Sequence, residues 1–183
     1  MAPPSGTYTI GPNDGSLTVR TKKAGVGAKM AHNLVLEAKS WSGTVTFNAD
    51  DPTASNAEVT VQPSSLEVID FNGGMKPLSD GDRKDIAKNI NDKALQTTKY
   101  PDITFRSTSV AGGGSAYTVE GQLTITDQTK PATLDVSIDG AQVVIKGRVV
   151  QTDFGVKPYS AMLGALKIDD AVEVEGTFAL PSA

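Results

Sequence analysis

The chain has 183 residues and a mass of 19.1 kDa, the size of one ordinary domain, and its lack of cysteine excludes a disulfide framework, thiolate metal sites and cysteine nucleophiles. Lys and Arg number 17 against 21 Asp and Glu, a formal charge of −4 with a pI near 5.0, which argues against a general binder of nucleic acid or anionic membranes. Hydrophobic residues make up 38% and aromatics 5%, with Thr, Ser and Gly filling the deficit, as in β proteins whose strands wet one face.

No apolar run approaches the roughly 18 residues needed to span a bilayer. The start, Met1-Ala2-Pro3-Pro4-Ser5, has neither the charge nor the apolar stretch of a secretory leader. As given, the chain therefore reads as cytoplasmic, or as the mature form of a periplasmic or secreted protein. It is long enough to bury a sizeable core without metal or disulfide.

In chain order, short β segments are expected at residues 8–10, 17–23, 34–40, 44–47, 58–61 and 66–69. From 80 to 96 the pattern changes. Ile86, Ile90 and Ala94 recur every fourth position, with Asp82 and Asp85 near the start, where the helix dipole favours anions. This predicts a helix lying across an open end of the sheet, either as a plug that completes the core or as a movable cover. Strand character resumes at 103–110.

Period-two alternation is clearest at 117–125. There Tyr117, Val119, Gly121, Leu123 and Ile125 face one way and Thr118, Glu120, Gln122 and Thr124 the other. A turn over 127–131 leads to a second alternating strand through Ala132, Leu134, Val136 and Ile138, and Asp139-Gly140 closes a hairpin onto Val143, Ile145, Gly147 and Val149. A short helical patch is expected at 159–166. The last strand alternates through Val172, Val174, Gly176, Phe178 and Leu180.

The reading is all-β: an antiparallel sheet of about eight strands, with a choice between sandwich and barrel. Gly121, Gly147 and Gly176 sit on apolar strand faces, where glycine marks a bend of a closing sheet or the close approach of another group. They favour the barrel.

Catalytic chemistry has little support. His32 is the sole histidine, so a zinc site or a Cys/His pair is excluded, and a hydrolase or isomerase using His32 with Asp153 is the weakest of the readings. Gly112-Gly113-Gly114-Ser115-Ala116 lacks the closing glycine of a nucleophile elbow and has the look of a hairpin tip. The glycine runs lack the Lys-Ser/Thr pair of a phosphate loop, and the clusters Asp50-Asp51, Asp80/Asp82/Asp85 and Asp169-Asp170 lack calcium-loop spacing. No cofactor and no metal are therefore expected. Arg20, Lys22, Lys23 and Lys29 form a small basic cluster before His32, read either as a solvated strand edge or as an anionic head-group site at a cavity entrance. Trp41 is the one broad stacking platform, too few for a carbohydrate or single-strand nucleic-acid module.

Four stretches then carry a family likeness. They are Lys99-Tyr100-Pro101-Asp102-Ile103-Thr104-Phe105-Arg106-Ser107-Thr108, the run 117–125, Thr129-Lys130-Pro131, and Thr152-Asp153-Phe154-Gly155-Val156. In order and spacing they resemble the YceI-like proteins, lipocalin-like β-barrels associated with binding of polyisoprenoids and other long-chain lipids. Where many members carry two phenylalanines before Tyr-Pro this chain has Ala94 and Leu95, and where many have arginine before Asp-Phe-Gly it has Gln151.

The resemblance implies a single barrel over residues 1–183 that binds, stores or transports an apolar lipid, of polyisoprenoid or fatty-acyl type, without catalysis. With facing taken from the alternation, Phe105, Val119, Leu123, Leu134, Val136, Ile145, Val174 and Phe178 are expected to line the cavity. Phe154, Tyr159, Met162 and Leu163 are expected at its rim. A structural or protein-interaction barrel with a filled core is the alternative. An edge left by imperfect closure would favour a homodimer.

Overall fold

The computed structural model describes residues 3–181, so Met1 and Ala2 of the start considered above lie outside the described residues. Fourteen strands are present among the described residues: β1 Gly6–Ile10, β2 Gly15–Thr21, β3 Lys23–Ala24, β4 His32–Ala38, β5 Trp41–Phe47, β6 Asn56–Val61, β7 Leu66–Gly73, β8 Ile103–Gly113, β9 Ala116–Ile125, β10 Gln128–Asp139, β11 Gln142–Val150, β12 Ser160–Ala161, β13 Leu166–Ile168 and β14 Ala171–Ala179. Eleven form one antiparallel sheet in the order β1-β5-β6-β8-β9-β10-β11-β14-β2-β4-β7, and β12, β13 and β3 make a small second sheet. The large sheet curls strongly into a barrel-like cup whose end strands, β1 and β7, are not paired with each other. It holds eleven strands, more than the eight or so expected of the barrel, and each coincides with one of the strand segments read from the sequence, including the six short ones of the first half.

The four long strands β8 to β11 follow the alternation closely. At the β9–β10 hairpin the turn is only Thr126 and Asp127, with φ of +49° and +65°, the geometry that matches strand twist in two-residue hairpins. Pro131 consequently lies within β10, opposite Gln122, rather than in the turn. The second hairpin turns over Gly140 and Ala141, with Asp139 still paired to Gln142 and Gly140 taking the positive φ of +61° at the first loop position.

Close approach explains the inward glycines. A Cβ on Gly121 would stand 2.5 Å from Phe105 Cζ and 2.6 Å from the Arg106 carbonyl oxygen; one on Gly147 would stand 2.6 Å from Leu134 Cδ2. Each glycine is a socket for a large side chain on the neighbouring strand, which lets the sheet curl tightly without clashes.

The helical insert is α1, Asp80–Asn89, continued by a wider turn over Ile90–Ala94 in which Leu95 N–H reaches back to Ile90 O at 2.8 Å. Ser79 and Asp82 form a capping box: the Ser79 hydroxyl accepts from Asp82 N–H at 3.1 Å, and the Asp82 carboxylate accepts from Ser79 N–H at 2.8 Å. Arg83 anchors the helix to the sheet. Its Nη1 donates to the Val68 carbonyl at 2.8 Å on the edge strand β7, and its guanidinium lies 5.4 Å from the Phe71 ring centroid.

The patch at 159–166 is not a helix. Met162 and Leu163 have φ of +51° and +56°, and the segment folds instead as a turn between β12 and β13, the latter pairing with β3. Its apolar residues have helical spacing, but left-handed backbone at two consecutive positions breaks the helix.

Candidate functional site

One end of the cup is solid. Tyr8, Ile10, Ala38, Trp41, Phe47, Val110, Tyr117, Ile138, Val143, Phe178 and Leu180 are buried together, with Phe47 edge-on to Tyr117 at 5.9 Å and Trp41 tilted against Phe178 at 6.4 Å. The tyrosine hydroxyls are satisfied locally: Tyr8 donates to Pro4 O at 2.6 Å and Tyr117 to Gly114 O at 3.2 Å. Above this aromatic floor the interior is hollow.

The cavity has a volume of about 690 Å³, within the range of small-molecule sites. Its walls are aliphatic. Leu17, Val19, Leu34 and Leu36 come from β2 and β4; Val59, Val61, Ile103, Phe105, Leu123 and Ile125 from β6, β8 and β9; Leu134, Ile145, Val149, Val172 and Val174 from β10, β11 and β14. Ile86 of α1 and Ile90 and Ala94 of the wider turn that continues it, with Leu95 beyond, close it from the side, so the helical insert completes the wall as a plug would. Phe154 and Val156, both buried, pack with Ile125, Leu123, Ile103, Leu95 and Val149 near the open end.

Of the twelve residues expected at the cavity, Phe105, Leu123, Leu134, Ile145, Phe154, Tyr159 and Val174 border it. Val119, Val136 and Phe178 do not. They point inward but belong to the solid end, Phe178 as part of the floor and the two valines packed against it. Alternation reports which face of a strand looks inward and says nothing of depth along the axis. Met162 and Leu163, expected at the rim, do not border the cavity; the left-handed turn leaves both exposed to solvent.

The walls from β2, β4 and β6 were missed, although the same period-two signal is there in Leu17, Val19 and Thr21 and in Leu34, Leu36 and Ala38.

Polar groups cluster at the mouth, where His32, Lys76, Asp82, Asp85, Asn89, Gln151 and Lys167 border the cavity. His32 Nε2 lies 2.8 Å from the Lys76 carbonyl oxygen, and since a carbonyl only accepts, this nitrogen carries the proton and donates. The imidazole stands edge-on to Phe71 at 5.6 Å. It fills the space beside Gly74, φ +74°, where a Cβ would fall 2.2 Å from Nε2. The Ser79 backbone N–H and then its hydroxyl hold the Asp82 carboxyl below the usual carboxylate range. Gln151 turns outward in its bonding: its backbone N–H donates to Asp170 O at 2.9 Å and its Nε2 to Asp169 O at 3.0 Å, tying the end of β11 to the start of β14. Beside it the Thr152 hydroxyl and N–H lower the Asp170 carboxyl. Asp153 is not among the residues that border the cavity with His32.

A strongly curled antiparallel cup around one apolar cavity defines the lipocalin-like class of barrels. The YceI-like domain model matches residues 8–180, and the chain belongs to that family. Protein YceI of Shigella flexneri is 31% identical over 150 residues, 75% of this chain and 71% of that protein. Among solved structures, BcnA of Burkholderia cenocepacia superposes with a TM-score of 0.70 at 20% identity, covering 91% of this chain and 96% of that one. A polyisoprenoid-binding domain from Saccharophagus degradans, implicated in plant cell wall breakdown, superposes with a TM-score of 0.57 at 12% identity over 97% and 99% of the two chains.

Proposed function

We propose that the protein binds one long apolar chain, of polyisoprenoid or fatty-acyl type, in this cavity, and stores or carries it without chemical change. The observation that carries the reading is the hollow of about 690 Å³ with aliphatic walls and an aromatic floor. The polyisoprenoid binding of the Saccharophagus degradans domain agrees with it. Each methylene moved from water into such walls contributes about 0.8 kcal/mol, so roughly 15 of them give on the order of 12 kcal/mol. Several kcal/mol of lost freedom offset this, which leaves micromolar binding within reach of burial alone.

No step of this function needs a nucleophile or a base, and the Nε2–H of His32 is engaged by Lys76 O. The filled structural barrel fits only the floor half of the interior. Solvent extraction and native mass spectrometry of the purified protein test the proposal. The expected result is one co-purifying apolar molecule, or uptake of one prenyl or acyl chain by stripped protein. Clean protein that takes up neither overturns it.

A further inference from the structure

Three segments meet around the mouth: residues 22–32, 71–79 and 155–168. Their meeting is fixed by the pairing of β3 with β13, by Gly27 N–H donating to Ala165 O at 2.7 Å, and by the His32 to Lys76 bond. The side chains at their tips are apolar and point away from the protein. Val26 is 96% exposed, Met75 79%, Met162 64%, and Leu163 wholly so. None of these four borders the cavity, but the half-exposed Met30 and Tyr159 beside them do, so apolar surface runs from the tips into the hollow.

Two further observations say what this surface meets. Met162 and Leu163 occupy left-handed backbone, where Gly or Asn would be the unstrained choice, and the strain is spent on presenting large apolar groups to the exterior. The same three segments hold six of the chain's 17 cations, Lys22, Lys23, Lys29, Lys76, Lys157 and Lys167, and none of its 21 Asp and Glu. Lys22 pairs with Glu173 at 2.8 Å; among the described residues the other five have no carboxylate in salt-bridge reach. Asp82 and Asp85 face the mouth from the helix side, and Asp169 and Asp170 line the shallow pocket that Lys157 and Lys167 share, though neither forms an ion pair with them. An acidic protein has thus gathered free lysines around protruding Val, Met and Leu side chains, the composition of an interfacial lipid anchor.

We propose that the open end of the cup docks on an anionic lipid bilayer. Val26, Met75, Met162 and Leu163 seat among the headgroups, the lysines face lipid phosphates, and the mouth opens onto the membrane. The purpose of docking, exchange of an apolar chain, rests on the lipid-binding reading, but docking is measurable without it.

Full-length protein is sedimented with vesicles of equimolar phosphatidylglycerol and phosphatidylcholine, and with phosphatidylcholine alone. Binding to the anionic vesicles is expected to exceed that to neutral ones by about tenfold or more and to fall sharply between about 0.1 M and about 0.5 M salt. The double variant Met162→Asn/Leu163→Asn suits the left-handed backbone and is expected to fold as well as the parent while losing most vesicle binding; Lys29→Glu/Lys157→Glu is expected to lose it likewise. Both should still take up chains from detergent dispersion, so failure of docking and failure of chain binding are separate results. Absence of preference for anionic vesicles, or variants that bind as the parent does, overturns the proposal. So does a dimer that the Asn variant dissociates without any vesicle binding, which would assign the patch to a second copy.

Discussion

Gly147 of β11 and Gly121 of β9 both serve as sockets for a side chain of the neighbouring strand, yet alanine should be tolerated at one and not at the other. At Gly147 the new methyl would meet Leu134 Cδ2 at 2.6 Å, and the nearest backbone atom, Thr133 O, only at 3.6 Å. Leu134 borders the cavity, so its side chain has room to swing inward. The off-rotamer cost, about 0.5–1.5 kcal/mol, is offset by the roughly 0.5–1 kcal/mol gained on replacing a strand glycine, and the net change should lie within about 1 kcal/mol of zero. At Gly121 the methyl would meet Arg106 O at 2.6 Å as well as the Phe105 ring at 2.5 Å. The backbone oxygen cannot rotate away, so overpacking should cost about 1–3 kcal/mol. Urea unfolding followed by circular dichroism reads the difference. With a slope of about 1–3 kcal/mol/M, Gly121→Ala should lower the midpoint by roughly 1 M while Gly147→Ala barely moves it. A Gly147→Ala variant as damaged as Gly121→Ala, at unchanged slope, would mean that the space beside Leu134 is filled and would refute the hollow interior.

Removing the floor should lengthen the cavity: Phe178→Ala is expected to cost about 3–5 kcal/mol in thermal or urea unfolding and to red-shift the emission of Trp41, which packs on Phe178. Ala94→Phe adds bulk at a position bordering the hollow and should reduce the longest chain taken up in native mass spectrometry with little change in stability. Acid sensitivity follows from three carboxyls held low: Asp82 by Ser79, Asp170 by Thr152, and Glu173 by hydrogen bonding and charge from Lys22. Their folded values lie below their unfolded ones, so their stabilisation is complete above about pH 4.5 and is lost as pH falls through the folded values. Melting temperature should hold from neutrality to about pH 5 and then fall, and Thr152→Val should make that fall somewhat shallower by removing the hydroxyl bond to Asp170 while the backbone N–H bond stays.

The long strands were legible because each alternates over eight or more residues between one solvated and one buried face, as Tyr117 to Ile125 does. The helix was legible from Ile86, Ile90 and Ala94, and all three border the cavity. Depth was not. Val119 and Leu123 share a face of β9, but one packs on the floor and the other walls the hollow, because what distinguishes them is which strands cross at that level. The turn at 162–163 was also illegible, since nothing in Met-Leu announces left-handed backbone. The lysine-rich rim was legible only in part, as the cluster Lys22, Lys23 and Lys29; Lys76, Lys157 and Lys167 lie far apart in the chain, and only the fold gathers them beside it.

The most direct measurement is intermolecular NOE spectroscopy between a bound prenyl or acyl chain and protein labelled at its Leu, Ile and Val methyls. Contacts are predicted to Leu36, Leu123 and Ile145 and not to Ile138 or Val143 in the floor, nor to Val144 on the outer face of β11. Contacts confined to outer-face or rim methyls, with the inner-wall methyls silent, would contradict a chain housed inside the cup.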